Sequence, residues 1–542
     1  MVGLELLTAL GERTRDELIS AGVLARAGFI RLEGPRQTLG TVGALRAYGG
    51  VGAATAIAAA RTPERRGLVD DLGELSFGEL DRRVNCVANG LRARGLESGD
   101  AVAILARNHR GFIDGAFGAA KCGARVVFLN TDFAGPQIRE VAEREGARLL
   151  ICDEEYVELL AGYEPPLGRL RSWAEEPGQD TLQAMIDAGD PSPPPAPDDH
   201  SSVVILTSGT TGTPKGARRE EPKSLIIPAA LFSKVPFRGR EVTSIPAPLF
   251  HALGFAHLIA ALALGSTVVL RRRFSPEGLL EDIEAHGVTA TIVVPVMLRR
   301  VLALGPETVG LHDTTPLRII FVGGSQLGAE LCKRTMAAFG PVVYNLYGST
   351  EVAYATIATP EDLRVAPDCV GCTPRGATVR ILDSEGRELP TGETGRIFVS
   401  NGAAFEGYTG GGTKEVLDGL MSSGDVGHFD SAGRLFIDGR DDDMIVSGGE
   451  NVFPGEIEEL LQAHAAVHEA TVIGVPDDKF GQRLAAYVVL ADGQALTEDE
   501  VRDHVRDNLA RFKVPRDVHF LAELPRNPTG KIVKRELPGV AG

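Results

Sequence analysis

The chain has 542 residues, of which 43% are apolar and 24% charged, and it carries a formal net charge of −17. That length exceeds what a single hydrophobic core serves, and the composition is that of a folded chain rather than a disordered one. The acidic balance argues against nucleic acid as a main partner, because there is no basic excess to neutralise phosphates.

Residues 1–55 read as helix and loop without a chemical motif, an N-terminal extension. They carry Glu5, Glu12, Arg13 and Arg15 instead of a basic-then-apolar leader, so a cytoplasmic location is expected. From there apolar runs recur as A-V-A-I-L from Ala101, R-V-V-F-L from Arg125, R-L-L-I-C from Arg148 and V-V-I-L from Val203. Further runs start at Ser266, Ala290, Arg318 and Pro341, with helix-patterned segments between, over 77–94 and 276–286. Continuous apolar strands alternating with helices predict parallel sheets covered on both faces. P-S-P-P-P-A-P, from Pro191, reads as a stiff segment dividing this region. The best candidate for a membrane span, residues 258–270, is too short and is broken by Gly265 and Ser266.

After about residue 375, turn signals such as D-S-E-G and P-T-G-E-T-G separate short strands, which predicts a small β subdomain. A last unit from residue 441 alternates helix and strand over 454–464, 470–475, 485–490 and 497–509. The fold expected is α/β. A large N-terminal domain over 56–440 has mixed and parallel sheets covered by helices, plus the β subdomain; a small, mobile α+β domain spans 441–542. Six cysteines form no disulfide framework, and C-V-G-C (Cys369, Cys372) lacks the second ligand pair a zinc site needs, so these read as reduced thiols in a loop.

The chemistry concentrates at strand ends. T-S-G-T-T-G-T-P-K-G follows the run from Val203: Thr207, Ser208, Gly209, Thr210, Thr211, Gly212 and Lys215 combine permissive backbone, hydroxyl donors and one ammonium. That is a phosphate cradle, but not a Walker A loop, whose G-x-x-x-x-G-K-[ST] spacing is absent. Y-N-L-Y-G-S-T-E (residues 344–351) offers an aromatic face, hydroxyls and a carboxylate suited to an adenine plane, phosphate oxygens and Mg²⁺. G-G-S-Q from Gly323 lets backbone approach a flat base, and S-G-D from Ser423 sets Asp425 in a tight turn fit for a ribose diol.

Together with P-L-F-H, G-R-D-D-D-M-I-V-S-G-G-E-N-V-F-P-G-E-I-E and P-R-N-P-T-G-K, these stretches resemble the adenylate-forming superfamily over roughly residues 50–535, with the nearest look to bacterial fatty-acyl-CoA synthetases. The resemblance implies a ligase that joins a hydrophobic carboxylic acid to ATP, giving acyl-AMP and pyrophosphate, and then passes the acyl group to CoA. By resemblance, Thr207 to Lys215 hold the β- and γ-phosphates. Thr350 holds the α-phosphate, and Glu351 the Mg²⁺. Tyr347 stacks on adenine, with Gly324, Ser325, Asn345, Leu346 and Gly348 completing the ATP site. Asp425 binds the ribose, and Arg440 supports ribose or phosphate. Lys531 bridges the acyl oxygen and α-phosphate in the first step, and Asp442 is the hinge.

The acyl pocket is expected from His251 as a gate, with Gly254, Phe255, Val296, Met297 and Gly323; the path for CoA, from Gly448 and Gly449. Leu420 and Val446 depart from the family's usual aromatic and lysine. The alternative is a stand-alone adenylating enzyme serving a separate carrier protein or another nucleophile, since the chain holds no G-x-D-S-type carrier motif. A non-catalytic binding protein is opposed by the intact Lys215, Glu351, Asp425, Arg440 and Lys531. The partners implied are small molecules, with no transmembrane segment; a homodimer is left open.

Overall fold

The computed structural model describes residues 2–31, 33–176, 178–207, 215–219, 224–383, 385–403, 405–409, 411–440, 445–452, 454–525, 532 and 534–538. Two large sheets build the N-terminal part. In the first, Arg125–Phe128, Ala101–Leu105, Ala147–Asp153, Arg169–Trp173 and Ser202–Thr207 run parallel. Every residue of Ala101–Leu105 is buried, as a strand covered on both faces requires. Two antiparallel strands, Lys215–Arg219 and Phe405–Tyr408, extend its edge.

The second sheet has 14 strands among the described residues. Its parallel part runs through Arg66–Asp70, Thr267–Val269, Val242–Ser244, Ala290–Val293, Ile319–Val322 and Val343–Tyr347. Alternation divides its side chains between two cores. Ile292, Ile319 and Phe321 enter the main cluster shared with the first sheet, while Val293, Ile320 and Val322 enter the cluster on the other face. The helix expected over 276–286 is there as Pro276–His286. Ser275 caps its start and Gly287, at φ 62°, its end.

One expectation about organisation is corrected. The proline-rich segment does not divide the region, because the strand after it, Ser202–Thr207, pairs with Arg125–Phe128 before it. The segment is instead pinned to the surface: Tyr48 donates to the Pro194 carbonyl (2.6 Å) and Asn85 to that of Pro191 (3.0 Å). The β subdomain expected after 375 has a core cluster of its own around Ile381, Ile397, Val399 and Leu435, and its strands are joined to the large sheet. Arg434–Arg440 pairs with the short strand Gly371–Cys372, so Ala377–Leu382, Gly395–Asn401 and Leu420–Phe429 continue the large sheet as an antiparallel half. Cys372 therefore lies on a strand, and the six cysteines are free thiols.

The extension is helical, Val2–Ala27 and Pro35–Gly52. The C-terminal unit is a sheet of Ile445–Ser447, Glu450–Val452, Val467–Asp477, Gly481–Leu490 and Asp517–Phe520. Pro454–Gln462 and Glu498–Asn508 pack on one face, and Leu524, Ile532 and Leu537 on the other. Among the described residues no helix is long and apolar enough to cross a membrane.

Candidate active site

The phosphate motif is flanked by two antiparallel strands, Ser202–Thr207 and Lys215–Arg219. Thr207 and Lys215 face each other as the closing antiparallel pair. Residues 208–214 lie outside the described residues, so Ser208, Gly209, Thr210, Thr211 and Gly212 are set only by their flanks, and the Thr207 side chain is likewise undescribed. The Lys215 ammonium stands 5.2 Å above the ring of Tyr408, on the neighbouring strand.

Tyr408 connects those strands to the second sheet. Its hydroxyl donates to Glu351 Oε1 at 2.9 Å, and Ser349 Oγ donates to Glu351 Oε2 at 2.9 Å. Glu351 follows the strand Val343–Tyr347 in a turn that returns at Thr356. Gly348 is required there, since a Cβ would sit 2.1 Å from the Ala353 carbonyl. Ala353 itself takes φ 58°, and Asn401 clamps the turn by donating to the Val352 and Tyr354 carbonyls at 2.7 Å each. Glu351 is 9% exposed and keeps unused lone pairs on both oxygens. No cluster of three or more His, Cys, Asp or Glu stands nearby as a cage among the described residues. A single hard carboxylate of this kind fits Mg²⁺, which completes its shell with phosphate and water oxygens.

Tyr347, three residues before Thr350, reaches the antiparallel half of the sheet: its hydroxyl donates to Asp425 Oδ2 at 2.6 Å and lies 3.1 Å from Ser423 Oγ. Asp425 pairs across the ladder with Arg440, whose backbone is described and whose side chain is not. The two residues expected at adenine and ribose are thus hydrogen-bonded to each other. Asn345, 4% exposed, carries a buried Oδ1 with no hydrogen-bond partner among the described residues, and it points to the face of the sheet shared with Val343, opposite Leu346.

On the acyl side the residues separate. Gly323, at the end of Ile319–Val322, leaves room filled by Leu253 and Leu346, with Leu253 Cδ1 3.4 Å from where its Cβ would be. Leu253 sits on the helix Ala252–Leu264, whose N-cap is His251. The other residues expected in this lining pack elsewhere. A Cβ on Gly254 would meet the Pro248 carbonyl at 2.3 Å, so this glycine seats the helix on the preceding loop. Phe255 stacks into the main core, 4.7 Å from Phe128 between ring centroids. Val296 and Met297 pack into the cluster on the opposite face of the sheet.

The C-terminal unit brings a second set of residues to this place. Gly448 and Gly449 form a two-residue hairpin turn between Ser447 and Glu450, both at positive φ (62° and 93°), the backbone that a tight hairpin demands. A Cβ on Gly449 would lie 3.8 Å from Ser325 Oγ and 4.0 Å from Val294 Cβ, whereas one on Gly448 would strike the Phe480 ring at 2.8 Å. Gly449 therefore faces the site and Gly448 packs within its own domain. Next to it, Glu450 Oε1 meets His251 Nε2 at 3.1 Å. Desolvation pulls the His251 imidazole down, but the Glu450 carboxylate and its hydrogen bond outweigh it, and the net shift is upward. Desolvation likewise pushes Glu450 up, and His251 overrides it to leave the carboxyl below its ordinary range.

Lys531 and Asp442 lie outside the described residues. Sequence reasoning missed Tyr408 and Asn401, which support Glu351, and Glu450, which partners His251. For Glu450 a signal existed, its place in S-G-G-E-N; for Tyr408 and Asn401 there was none, because their roles come from strand pairing.

Comparison with known proteins identifies the family. Residues 56–409 match the AMP-binding enzyme family and residues 456–531 the AMP-binding enzyme C-terminal domain. A fatty acid–[acyl-carrier-protein] ligase, ScoC, of Streptomyces coeruleorubidus is 33% identical over 481 residues, 85% of this chain and 91% of that protein. A feruloyl-CoA synthase of an Amycolatopsis species is 35% identical, over 85% of this chain and 93% of that protein. The o-succinylbenzoate CoA synthetase MenE of Bacillus subtilis, 26% identical, superposes over 90% of this chain and 98% of its own. The TM-score is 0.79 for a double mutant bound to the product analogue OSB-NCoA and 0.64 for the complex with the acyl-adenylate OSB-AMP. The chain belongs to the AMP-binding enzymes of the adenylate-forming superfamily.

Proposed function

We propose that this protein is an AMP-forming acid–thiol ligase. A carboxylate oxygen of a hydrophobic acid attacks the α-phosphorus of ATP and expels pyrophosphate; the sulfur of CoA then attacks the acyl carbon of the adenylate and expels AMP. The observation that carries this reading is the chain of contacts Lys215–Tyr408–Glu351 beside Tyr347–Asp425. It gathers an ammonium, a hard carboxylate and a diol-binding carboxylate around one group of strand ends. In this reading Lys215 and the loop at 208–214 neutralise the departing phosphates, and Thr350 donates to the α-phosphate. Glu351 would hold Mg²⁺, which supplies charge neutralisation on the phosphates when bound. Tyr347 packs on adenine while its hydroxyl holds Asp425 in place for the ribose, and Arg440 and Lys531 act as the resemblance implies. The protein then only positions groups and stabilises charge, which is what bringing two anions together requires.

The Gly449–Glu450 turn, set against Ser325 and His251, supports a C-terminal domain stationed for the transfer step. The better superposition on MenE with its CoA-product analogue than with its adenylate points the same way. Relatives that act on a carrier protein keep a second acceptor in view: a carrier's pantetheine thiol has the same reacting end as CoA. Cytoplasmic location and small-molecule partners complete the reading, and measuring the mass in solution decides whether two copies pair.

The test is pyrophosphate release with a panel of hydrophobic acids, then mass spectrometry of the product with CoA. Thioester and AMP are expected. Pyrophosphate without thioester would transfer the assignment to the carrier-loading class, and no turnover with any acid would overturn acid activation.

A further inference from the structure

The N-terminal extension carries its charge against the trend of the chain. Residues 26–66 hold seven arginines and two glutamates, with no lysine or aspartate, in a chain whose net charge is −17. The helix Pro35–Gly52 within it is also inverted relative to an ordinary surface helix. Its inner side is small: a Cβ on Gly40 would stand 3.0 Å from the Ala60 Cβ, and Ala44, Ala47 and Tyr48 pack with Ala53 and Ile57. Its large apolar side chains point outward on successive turns. Leu39 is 73% exposed, Val42 58% and Leu45 42%. Arg36 and Arg46 stand exposed at either end of that stripe.

Four further arginines gather where this helix begins. Arg61 pairs with Glu33 at 3.1 Å, two residues before Pro35. Arg31 donates to the Leu264 carbonyl and Arg61 to that of Ala263, at the end of the helix Ala252–Leu264, and Arg65 donates to the Arg240 carbonyl. Burial pulls the Arg31 and Arg65 guanidinium groups below their ordinary range, and the Arg240 charge pulls both the same way. Glu33 is the carboxylate that opposes this crowding at Arg31. Glu64 borders the group, and Asp198 and Asp199 lie at the helix's far end beside His200, whose ring is 3.3 Å from the Arg46 carbonyl.

Scattered apolar side chains on a surface mean little. A stripe of them bracketed by arginines, on an acidic protein, selects its partner. An apolar protein groove would cover the leucines and leave the arginines unanswered. An anionic bilayer answers both, because the apolar side chains enter the acyl boundary while the arginines lie at the lipid phosphates. We infer that the helix Pro35–Gly52, with the arginines at its start, docks this protein peripherally on an anionic phospholipid surface.

The experiment sediments the full-length protein with vesicles of phosphatidylcholine alone and of phosphatidylcholine mixed with phosphatidylglycerol. It should bind the mixed vesicles and not the neutral ones, and added salt should weaken binding. Leu39→Ser with Val42→Ser should lower the partition coefficient about tenfold or more. Arg36→Gln with Arg46→Gln should lower it about tenfold. Hydrogen exchange over 35–46 should slow when mixed vesicles are added, which checks the same face without any substitution. No binding to the mixed vesicles, equal binding to both kinds, or binding that both double variants keep overturns the inference. A two-copy mass in solution that falls to one copy in Leu39→Ser with Val42→Ser, without vesicle binding, gives the face to a second copy instead. Binding is read without turnover, so its failure leaves acid activation untouched.

Discussion

The two halves of the site are held in different ways. The nucleotide half is built within the N-terminal part of the chain: Tyr347 and Asp425 belong to the same 14-stranded sheet, and Glu351 is braced by Ser349 and Asn401 and, from the edge of the other sheet, by Tyr408. The acceptor half is assembled across a domain boundary. Its described polar contacts include His251 and Asn130 with Glu450, Gln137 with Glu456 (2.9 Å), the Arg511 amide with the Asp132 carbonyl (3.0 Å) and Arg299 with the Lys479 carbonyl (2.6 Å). A partly exposed ion pair such as His251–Glu450 is worth about 0–1 kcal/mol. That is enough to bias a domain's position and too little to lock it. In the function proposed above, the nucleotide half is preorganised and the acceptor half is visited. Changes in the first should therefore appear in adenylation and changes in the second in transfer.

The largest effect that tests this separation is at Lys531. Lys531→Ala should lower pyrophosphate release by about 10²-fold or more, the range for losing one preorganised charge. Given synthetic acyl-AMP and CoA, the same variant should make thioester near the wild-type rate; equal losses in both assays would erase the distinction. Glu351→Gln comes next. Neutralising the carboxylate should weaken MgATP use and cut adenylation about tenfold to 10²-fold, so wild-type rates at saturating Mg²⁺ would remove the residue from that role. Gly449→Trp sharpens the comparison from the other side. A ring projecting toward Ser325 and Val294 should slow transfer on the order of tenfold while sparing pyrophosphate release. If single-turnover thioester formation is unaffected, the acceptor does not pass that turn.

The smallest effect is set by pH. His251, ordinarily at 6.5, is raised in the docked arrangement, so its contribution is fully present below that value and is lost as pH rises through the raised one. Glu450, ordinarily at 4.5, is depressed, so its contribution is present above that value and is lost as pH falls through the depressed one. Asp132 adds to the upward pull on His251. The transfer rate should decline on the alkaline side of His251, and Glu450→Gln should lower it about twofold to fivefold at neutral pH and flatten that decline. An identical pH profile for the variant would show that the pair does not hold the docked domain.

What could be read from the sequence was whatever repeats locally or sits in a motif. Apolar runs located Ile319–Val322 and Val343–Tyr347, and a serine cap and a glycine bounded Pro276–His286. What could not be read was pairing between distant segments. The attachment of the β subdomain to the large sheet is a two-residue strand, Gly371–Cys372, with no periodic signature. Tyr408 meets Glu351 across 57 residues and His251 meets Glu450 across 199, and no local pattern records either. A motif indicates that a helix lies near the site but not which way each side chain turns: Leu253 covers Gly323, while Phe255 packs into the main core and Met297 on the other face of the sheet.

The N-terminal helices set a timing problem for synthesis. Leu24 is fully buried in the main core, Glu17 accepts from Ser224 (2.6 Å), Asp16 pairs with Arg375 (2.8 Å), and Arg31 donates to the Leu264 carbonyl, 233 residues later. At ribosomal speeds that interval is on the order of tens of seconds. The helix Val2–Ala27 finds its partners late, and its apolar face waits in solvent or with a chaperone until the helix ending at Leu264 has emerged, whereas Pro35–Gly52 packs early on Ala54–Arg61. Slow or interrupted translation before that point should leave this chain more prone to aggregation than a relative whose first helix closes on its nearest neighbours.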